Sequence, residues 1–484
     1  MLNTLAPGFS RAAVEELSRY KGEPEWMLQL RLQAWETYEN TEAPLGRRGD
    51  LGTIRTVAGF NFQQLKPFTA VEKDAALPEK VQNSLQASLV NERSGLIVQL
   101  DSTVVHTELS DELKQQGVIL TDLDTAVREH AELVREYFMT RCVPAGSSKY
   151  TALHAAFWSG GFFLYVPKGV EIEAPMLAQV WVNQPLSAAF SHSLIIAEEQ
   201  SSVRFVQEYN STVAGEDPSL LSDVVEVFAK REGRVEFSNL QDLGQNIWNI
   251  TNKNAVFEND GSVTFVLADL GAGVNMATIG AGLQGNGSAG ELVGVFFTDH
   301  DQRYVINTLS DHVGLSTNAE TLVKGVLTDN SRVEFDGMIR VRPGAQQTAS
   351  FLSAHGLLLS KKARGEFIPG LEIAANEVSA SHGATSGQID EEQLFYLMVR
   401  GISRPEAERI IVQGFFEPVL QRIPVENLRI RLRRSIISRM SGAYETEADT
   451  WVDAQERWEI EGVDENAISL DGNPEDDEIK LAEY

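Results

Sequence analysis

Four short runs decide how this chain folds: SVRFVQE (202–208), RVEFSNL (234–240), SVTFVLA (262–268) and RVEFDGM (332–338). Each places a small or charged residue ahead of an alternating apolar pair, the period-two pattern of a strand with one buried face. Their valines stand at 203, 235, 263 and 333, with first intervals of 32 and 28 residues, so the repeat is irregular. The segment around them, from about 145 to 375, continues in short apolar runs broken by Gly, Asn, Asp and Ser, with essentially no helical periodicity. Many short strands with turn punctuation over more than 200 residues predict a β-solenoid or a sandwich. The solenoid is favoured, because each rung buries its inward residues against its neighbour. The most apolar stretch, LHAAFWSGGFFLYVP (153–167), reads as buried strand and turn. It falls short of the roughly 20 residues that a bilayer span needs.

Helical patterns flank this region. Ser10 is a plausible N-cap for AAVEELSRY, and Pro24 followed by Glu25 opens EWMLQLRLQAWETY, whose Trp26, Met27, Leu30 and Ala34 fall at helical spacing. Residues 46–80 lose the periodicity and read as a connecting segment; helix returns in TDLDTAVREHAELVREYFM (121–139). Beyond Gln388, Asp390 with Gln393 and Ser403 with Glu406 form two capping-box patterns. Val412, Phe416, Val419, Leu420 and Ile423 make an apolar stripe, while Gly414 and Pro418 predict a kink or break within it. A third helix, VENLRIRLRRSIISRM, follows Pro424. The domains are therefore an N-terminal helical domain with connecting segment (1–140), a β-helix core (141–388), a C-terminal helical docking domain (389–440) and an acidic tail (441–484) that is predicted to be mobile.

The net charge is −28, which argues against nucleic acid and anionic membrane as partners. One cysteine, Cys142, excludes an internal disulfide framework and any multi-cysteine metal site built from this chain alone. With no nearby base except Arg141, that thiol is expected to be inert. The start of the chain lacks the features of an export signal, so a cytoplasmic location is expected.

Catalytic motifs are sparse. No P-loop pattern is present, and the single G-x-G-x-x-G, at Gly285, Gly287 and Gly290, precedes a strand rather than a helix, so its glycines read as turn residues. Ser159 near His154 lacks the nucleophile-elbow pattern. His300 and His312 have acidic neighbours but no paired-imidazole spacing, and a solvated or hydrogen-bonded role is the simpler reading. His382, in ASHGATSG, differs because its small neighbours leave the imidazole open; structural and metal- or partner-contact roles both stand. Five arginines between 429 and 439 either neutralise the chain's own acids or dock an acidic partner.

Three stretches bear a specific resemblance: VPAGSSKYTALHAAFWSGGFFLYVPKGVEIEAPM (143–176), VRPGAQQTASFLSAHGLLLS (341–360) and SASHGATSGQIDEEQLFYLMVRGISRPEAERIIVQGFFEPV (379–419). Together they resemble the SufB/SufD family of iron–sulfur cluster assembly proteins, over roughly residues 10–440. The resemblance implies a right-handed parallel β-helix between N- and C-terminal helical domains. It also implies a non-catalytic assembly subunit that works with a SufC-like ABC-type ATPase, and a cluster held transiently at a shared subunit interface. In the scaffold member, SufB, a cysteine follows the L-L-[IL]-x-x-K stretch and a glutamate follows the motif histidine. Here Ala363 and Gly383 stand at those positions, so the chain is similar to the SufD partner. The motif histidine maps to His382, which is implied to face a SufB-like scaffold, whereas the cysteine of the usual C-S-H-G-A-T is replaced by Ala380.

Partner docking is assigned to the C-terminal helices, with Phe395, Tyr396, Arg400, Phe415 and Phe416 as the candidate residues. One imidazole supplies a single ligand, so the scaffold's thiolate would have to supply the rest. Neutral imidazole is the coordinating form, so iron contact would weaken as the pH falls through its titration. Whether a flavin binds stays open, as does pairing of two copies of this chain. A polysaccharide-acting solenoid enzyme is the alternative from another class; such enzymes are commonly exported. The tail from Ser441 holds 15 acidic and two basic residues, and the arginine-rich helix just before it suggests that the tail folds back and competes with docking.

Overall fold

Inward-facing side chains stacked in register, rung upon rung, build the main core. The computed structural model describes residues 4–441, apart from 44–56, 58, 72–75, 91–92, 214 and 424. The helices are α1 (Arg11–Lys21), α2 (Glu25–Asn40), α3 (Glu79–Val90), α4 (Asp111–Gln115), α5 (Leu123–Glu129), α6 (Ala131–Tyr137), α7 (Lys149–Phe157), α8 (Glu391–Met398), α9 (Arg404–Leu420) and α10 (Glu426–Ser441). The early strands are β1 (Gly95–Leu100), β2 (Thr103–Leu109), β3 (Ile119–Asp122), β4 (Gly160–Val166), β5 (Met176–Val182), β6 (Ala188–Ala197) and β7 (Ser202–Ser211). Next come β8 (Ser219–Ala229), β9 (Arg234–Asp242), β10 (Ile247–Phe257), β11 (Ser262–Asp269), β12 (Val274–Leu283) and β13 (Ala289–Thr298). The last six are β14 (Arg303–His312), β15 (Asn318–Leu327), β16 (Arg332–Val341), β17 (Thr348–Leu358), β18 (Arg364–Ile373) and β19 (Val378–Gln388).

The strands alternate between two sheets. One has ten strands in the order β19-β17-β15-β13-β11-β9-β7-β5-β1-β2, and the other nine in the order β18-β16-β14-β12-β10-β8-β6-β4-β3. Pairing is parallel except for the β1–β2 and β3–β4 pairs at the N-terminal end. The result is a parallel β-solenoid of about eight turns with helices at both ends.

Three of the four deciding runs share one register: Val203 aligns with Val235 and Val235 with Val263. The fourth lies on the opposite sheet, where Val333 aligns with Tyr304. Two residues on, Phe205, Phe237 and Phe265 form a buried aromatic ladder, with ring centroids 5.9 and 5.8 Å apart. Such pairs add about 0.5–1.5 kcal/mol beyond the area they bury.

The N-terminal region departs from its sequence reading. Thr121 and Asp122 end strand β3, and residues 123–137 form two short helices instead of one, broken at His130 (φ −124°). Strand β1 pairs in parallel with β5, so the solenoid begins before residue 141. Leu153–Phe157, expected as strand, is the end of α7, where Ser148 and Thr151 form a reciprocal capping box and every residue from Tyr150 to Phe157 is buried. A helix buried all round shows no amphipathic period, so periodicity could not distinguish it from a buried strand. Gly161 enables close strand approach: at φ +125°, a Cβ there would sit 1.9 Å from the His192 carbonyl oxygen.

Helix α2 is fastened to this end by Arg31, which is fully buried. Its Nε and Nη2 donate to Glu23 at 2.8 and 2.6 Å, and Nη1 and Nη2 donate to the carbonyls of Ala156 and Trp158 at 3.0 and 2.9 Å. At the C-terminal end, Val412, Phe416, Val419 and Leu420 of α9 pack with Leu432 and Ile436 of α10 on the outer face of the ten-stranded sheet. Helix α9 runs unbroken through Gly414 and Pro418, held by that packing, and Ser403 at its N-cap makes no side-chain cap bond. Of the other pattern the cap half forms: Asp390 accepts from the amides of Glu392 and Gln393, with no reciprocal bond from the Gln393 side chain among the described residues.

The interior also contains charge. Lys253 Nζ donates to Asp223 Oδ2 at 2.9 Å, and the same oxygen accepts from Tyr209 Oη at 2.8 Å and Thr251 Oγ1 at 3.1 Å, all from buried residues. Removing one partner of a buried pair strands the other. Lys253→Met is therefore expected to lower unfolding free energy by about 3–5 kcal/mol, measured by urea denaturation; a loss below about 1 kcal/mol would show that the pair behaves as an exposed one.

Candidate functional site

The solenoid ends at an uncovered rung. Strand β19 lies at one edge of the ten-stranded sheet and pairs only with β17, and β18 forms the corresponding edge of the other sheet. His382 occupies this last rung. Its register column runs from Gly95 through Met176, Phe205, Phe237, Phe265, Leu292, Thr321 and Leu352. The column from Met176 to Leu352 is buried, whereas His382, with no rung above it, is exposed. The imidazole thus stands where the core would continue if another rung covered it. Among the described residues it has no hydrogen-bonding or ionic partner.

The positions that set this chain apart lie in the last rungs of the solenoid. Gly383 points to the outer face, and a Cβ there would have no heavy atom within 4 Å, so packing within this chain does not require glycine. Ala380 aligns with the buried Ser350, and Ala363 is a core residue between β17 and β18.

Helix α8 and the residue after it carry an exposed apolar ridge. Phe395 is 68% exposed, Val399 60% and Tyr396 57%. Arg400 stacks over the Tyr396 ring at 3.4 Å from its centroid and donates to the Tyr396 carbonyl at 3.0 Å. Arg404 ties α9 to α8 through Glu391, at 2.7 and 2.9 Å. The other two candidate docking residues lie deeper. Phe416 is fully buried and belongs to the domain's own core, while Phe415 is half-buried and its carbonyl accepts from Lys324.

The arginine-rich helix is largely neutralised from within. Arg431 pairs with Glu208, Arg433 with Glu417 and Arg429 with Glu426. Arg439, nearly buried, spans Asp242 at 2.6 Å and Asp299 at 3.3 Å on the solenoid. These pairings favour charge neutralisation over a free basic docking surface; the tail from 442 onward lies outside the described residues. The partners of Arg431 and Arg439 are more than 100 residues away in sequence, which hid them from local reading.

The remaining candidates have structural roles. The Cys142 thiol is buried against the carbonyls of Asn254 and Val227, and burial, then Glu226, push its pKa well up. Ser159 bonds to Ser102, while His154 joins a separate buried chain. In one tautomer set, Ser222 donates to His154 Nδ1 (3.0 Å), His154 Nε2 to His192 Nδ1 (3.3 Å) and His192 Nε2 to Glu226 (3.1 Å). Glu226 also accepts from the amides of Met139 and Val143, anchoring the segment that carries Cys142. Gly287 has φ +70° in a turn leading into strand β13. His300 is exposed and bonds Asp299, whereas His312 is buried between Thr317 and Ser350. Among the described residues, no group of three His, Cys, Asp or Glu side chains is arranged to hold a metal ion, and no helix is long and apolar enough to cross a membrane.

The chain is thus a parallel β-solenoid between two helical regions, with an exposed histidine on its open rung. Comparison with known families supplies its class. Residues 180–415 match the model of the SUF system FeS cluster assembly SufBD core domain, and residues 20–178 match the SufBD protein N-terminal region. The chain belongs to the SufB/SufD family of iron–sulfur cluster assembly proteins. It is 34% identical to the iron–sulfur cluster assembly protein SufD of Bacillus subtilis, over 87% of this chain and 95% of that protein. It is 30% identical to SufB of the same organism, over 90% of this chain and 94% of the relative. A SufBD family protein of Staphylococcus saprophyticus is also 30% identical, over the same shares.

Burial pushes the His312 imidazole down to about 4, which sets a pH dependence. The unfolded chain binds this proton near pH 6.5 and the folded chain near 4, so the stabilisation is complete above 6.5 and is lost as the pH falls toward 4. The corresponding contribution is about 3 kcal/mol. His312→Asn should flatten the fall in unfolding free energy between pH 6.5 and 4 in denaturant titrations; an unchanged slope would mean that His312 titrates alike in both states.

Proposed function

We propose that this chain is a SufD-type subunit of a SUF complex, pairing its open solenoid end with a SufB-type scaffold and docking a SufC-type ATPase on the C-terminal helices. The observation that carries the reading is the exposed His382 on the uncovered rung, combined with Ala363 and Gly383 at the scaffold-type positions. The greater identity to the Bacillus SufD than to its SufB points the same way. The cluster is cargo. His382 would offer it one nitrogen ligand in the neutral form, and the partner would supply thiolate. Phe395 and Tyr396, with Arg400 packed on the tyrosine, form an amphipathic ridge suited to anchoring a protein partner. No P-loop pattern is present in the sequence, so ATP hydrolysis would belong to the ATPase partner.

A second reading, pairing of two copies through the same open end, is supported by the unpaired edge of β19. Anaerobic co-purification with scaffold and ATPase partners tests both. The heteromeric reading predicts recovery of all three chains with bound iron and sulfide; a stable homodimer that ignores the scaffold would favour the second.

Within that complex, His382→Ala should lower iron and sulfide content at least about tenfold while leaving the subunits associated. Unchanged content would remove His382 from the site. Phe395→Ala with Tyr396→Ala should weaken ATPase binding by at least about tenfold, measured by calorimetry. Undiminished affinity would move docking elsewhere.

A further inference from the structure

The strand that carries His382 has few attachments. It pairs with β17 alone, and among the described residues its single side-chain hydrogen bond joins Thr385 Oγ1 to His355 Nδ1 at 2.7 Å. The other ring nitrogen of His355, Nε2, lies 2.7 Å from Oγ of the buried Ser353 on the same face of β17. Both nitrogens are therefore engaged, one with the edge strand and one with the body of the sheet. Burial, then the neighbouring Lys324, lowers the His355 pKa, which favours the neutral ring that donates through one nitrogen and accepts through the other.

His355 also belongs to a longer column. In register, Glu208 aligns with Leu240, then Ala268, Val295, Lys324, His355 and Thr385. This column lies beneath the C-terminal helices: Glu208 pairs with Arg431 of α10, and Leu240, Ala268 and Val295 pack in the cluster containing α9 and α10. Lys324 donates to the Phe415 carbonyl of α9 at 2.7 Å, with Nζ 4.8 Å from the Phe415 ring centroid. The column thus turns polar over its last three rungs, between α9 and the open end.

We propose that His355 is a positioning residue, holding β19, and with it His382, to the body of the ten-stranded sheet through the link Ser353–His355–Thr385. The significance of that placement rests on the reading of His382 as the cluster contact, but the link itself is a property of the isolated chain. A merely space-filling histidine would not require both ring nitrogens, and a strand held by its backbone alone would not respond to loss of the Thr385 hydroxyl.

Amide hydrogen exchange of the full chain, without partners, tests the link. Thr385→Val removes one hydroxyl at an exposed position and preserves side-chain shape, so folding is not at risk; an unchanged melting temperature checks this. Thr385→Val and His355→Ala should each speed exchange across 380–387 by about fivefold, and the double variant should exchange no faster than the faster single variant. Lys324→Met, which removes the bond to the Phe415 carbonyl and none to His355, should speed exchange in 411–417 and leave 380–387 within twofold of the parent. Exchange in 380–387 within twofold of the parent in both single variants would overturn the proposal, as would independent, multiplying effects or a Lys324→Met effect on 380–387 as large as that of His355→Ala. If β19 responds as expected while His382→Ala leaves cluster content unchanged, the positioning link stands and the functional assignment of His382 falls.

Discussion

Every rung of this solenoid is covered by the next, except the last. The column from Met176 to Leu352 is stabilised because each inward side chain buries the one beside it, and the same geometry leaves His382 as its exposed terminus. Stability and exposure thus share one cause. A parallel strand edge with inward residues uncovered is costly for a free protein, and natural proteins shield such edges by covering or pairing them. At the N-terminal end the shielding is internal: antiparallel β2 and β3 lie beyond the parallel strands, and α7 packs there under Arg31. At the C-terminal end the helices cover the outer face of the ten-stranded sheet but leave β19 at its edge.

Local signals account for much of what the sequence made legible. Ser10 caps α1 through the Ala13 amide and Asp390 caps α8, as residue type and spacing predict. The alternating runs mark strands β7, β9, β11 and β16. Their repeat is hard to see because one register column recurs at intervals of 27 to 32 residues, as turn lengths vary from rung to rung. Helix α7 was illegible for the opposite reason: buried on every side, it carries no polar face to set a period. The Ser403–Glu406 pattern carries the right residues, yet the hydroxyl makes no cap bond.

The candidate site was legible as a residue but not as a place. Small neighbours singled out His382, and the family resemblance gave it a role; its position on the final inward register follows only from strand pairing. Phe416 illustrates the reverse. Its aromatic type within a docking helix suggested a contact residue, but the apolar stripe that contains it is the face bound to the solenoid. Long-range ion pairs were invisible locally, and they change the meaning of the charge: the arginines of α10 complement acids of the solenoid and of α9, so the helix need not await an acidic partner.

The central claim is that the uncovered rung is completed by a scaffold chain. Native mass measurement of the anaerobic protein, alone and mixed with a SufB-type scaffold, tests it most directly. The account predicts a one-to-one heteromer, with the amides of β19 protected from exchange relative to the chain alone. A mixture that leaves each protein at its own mass, with β19 exchanging as freely as before, would contradict it.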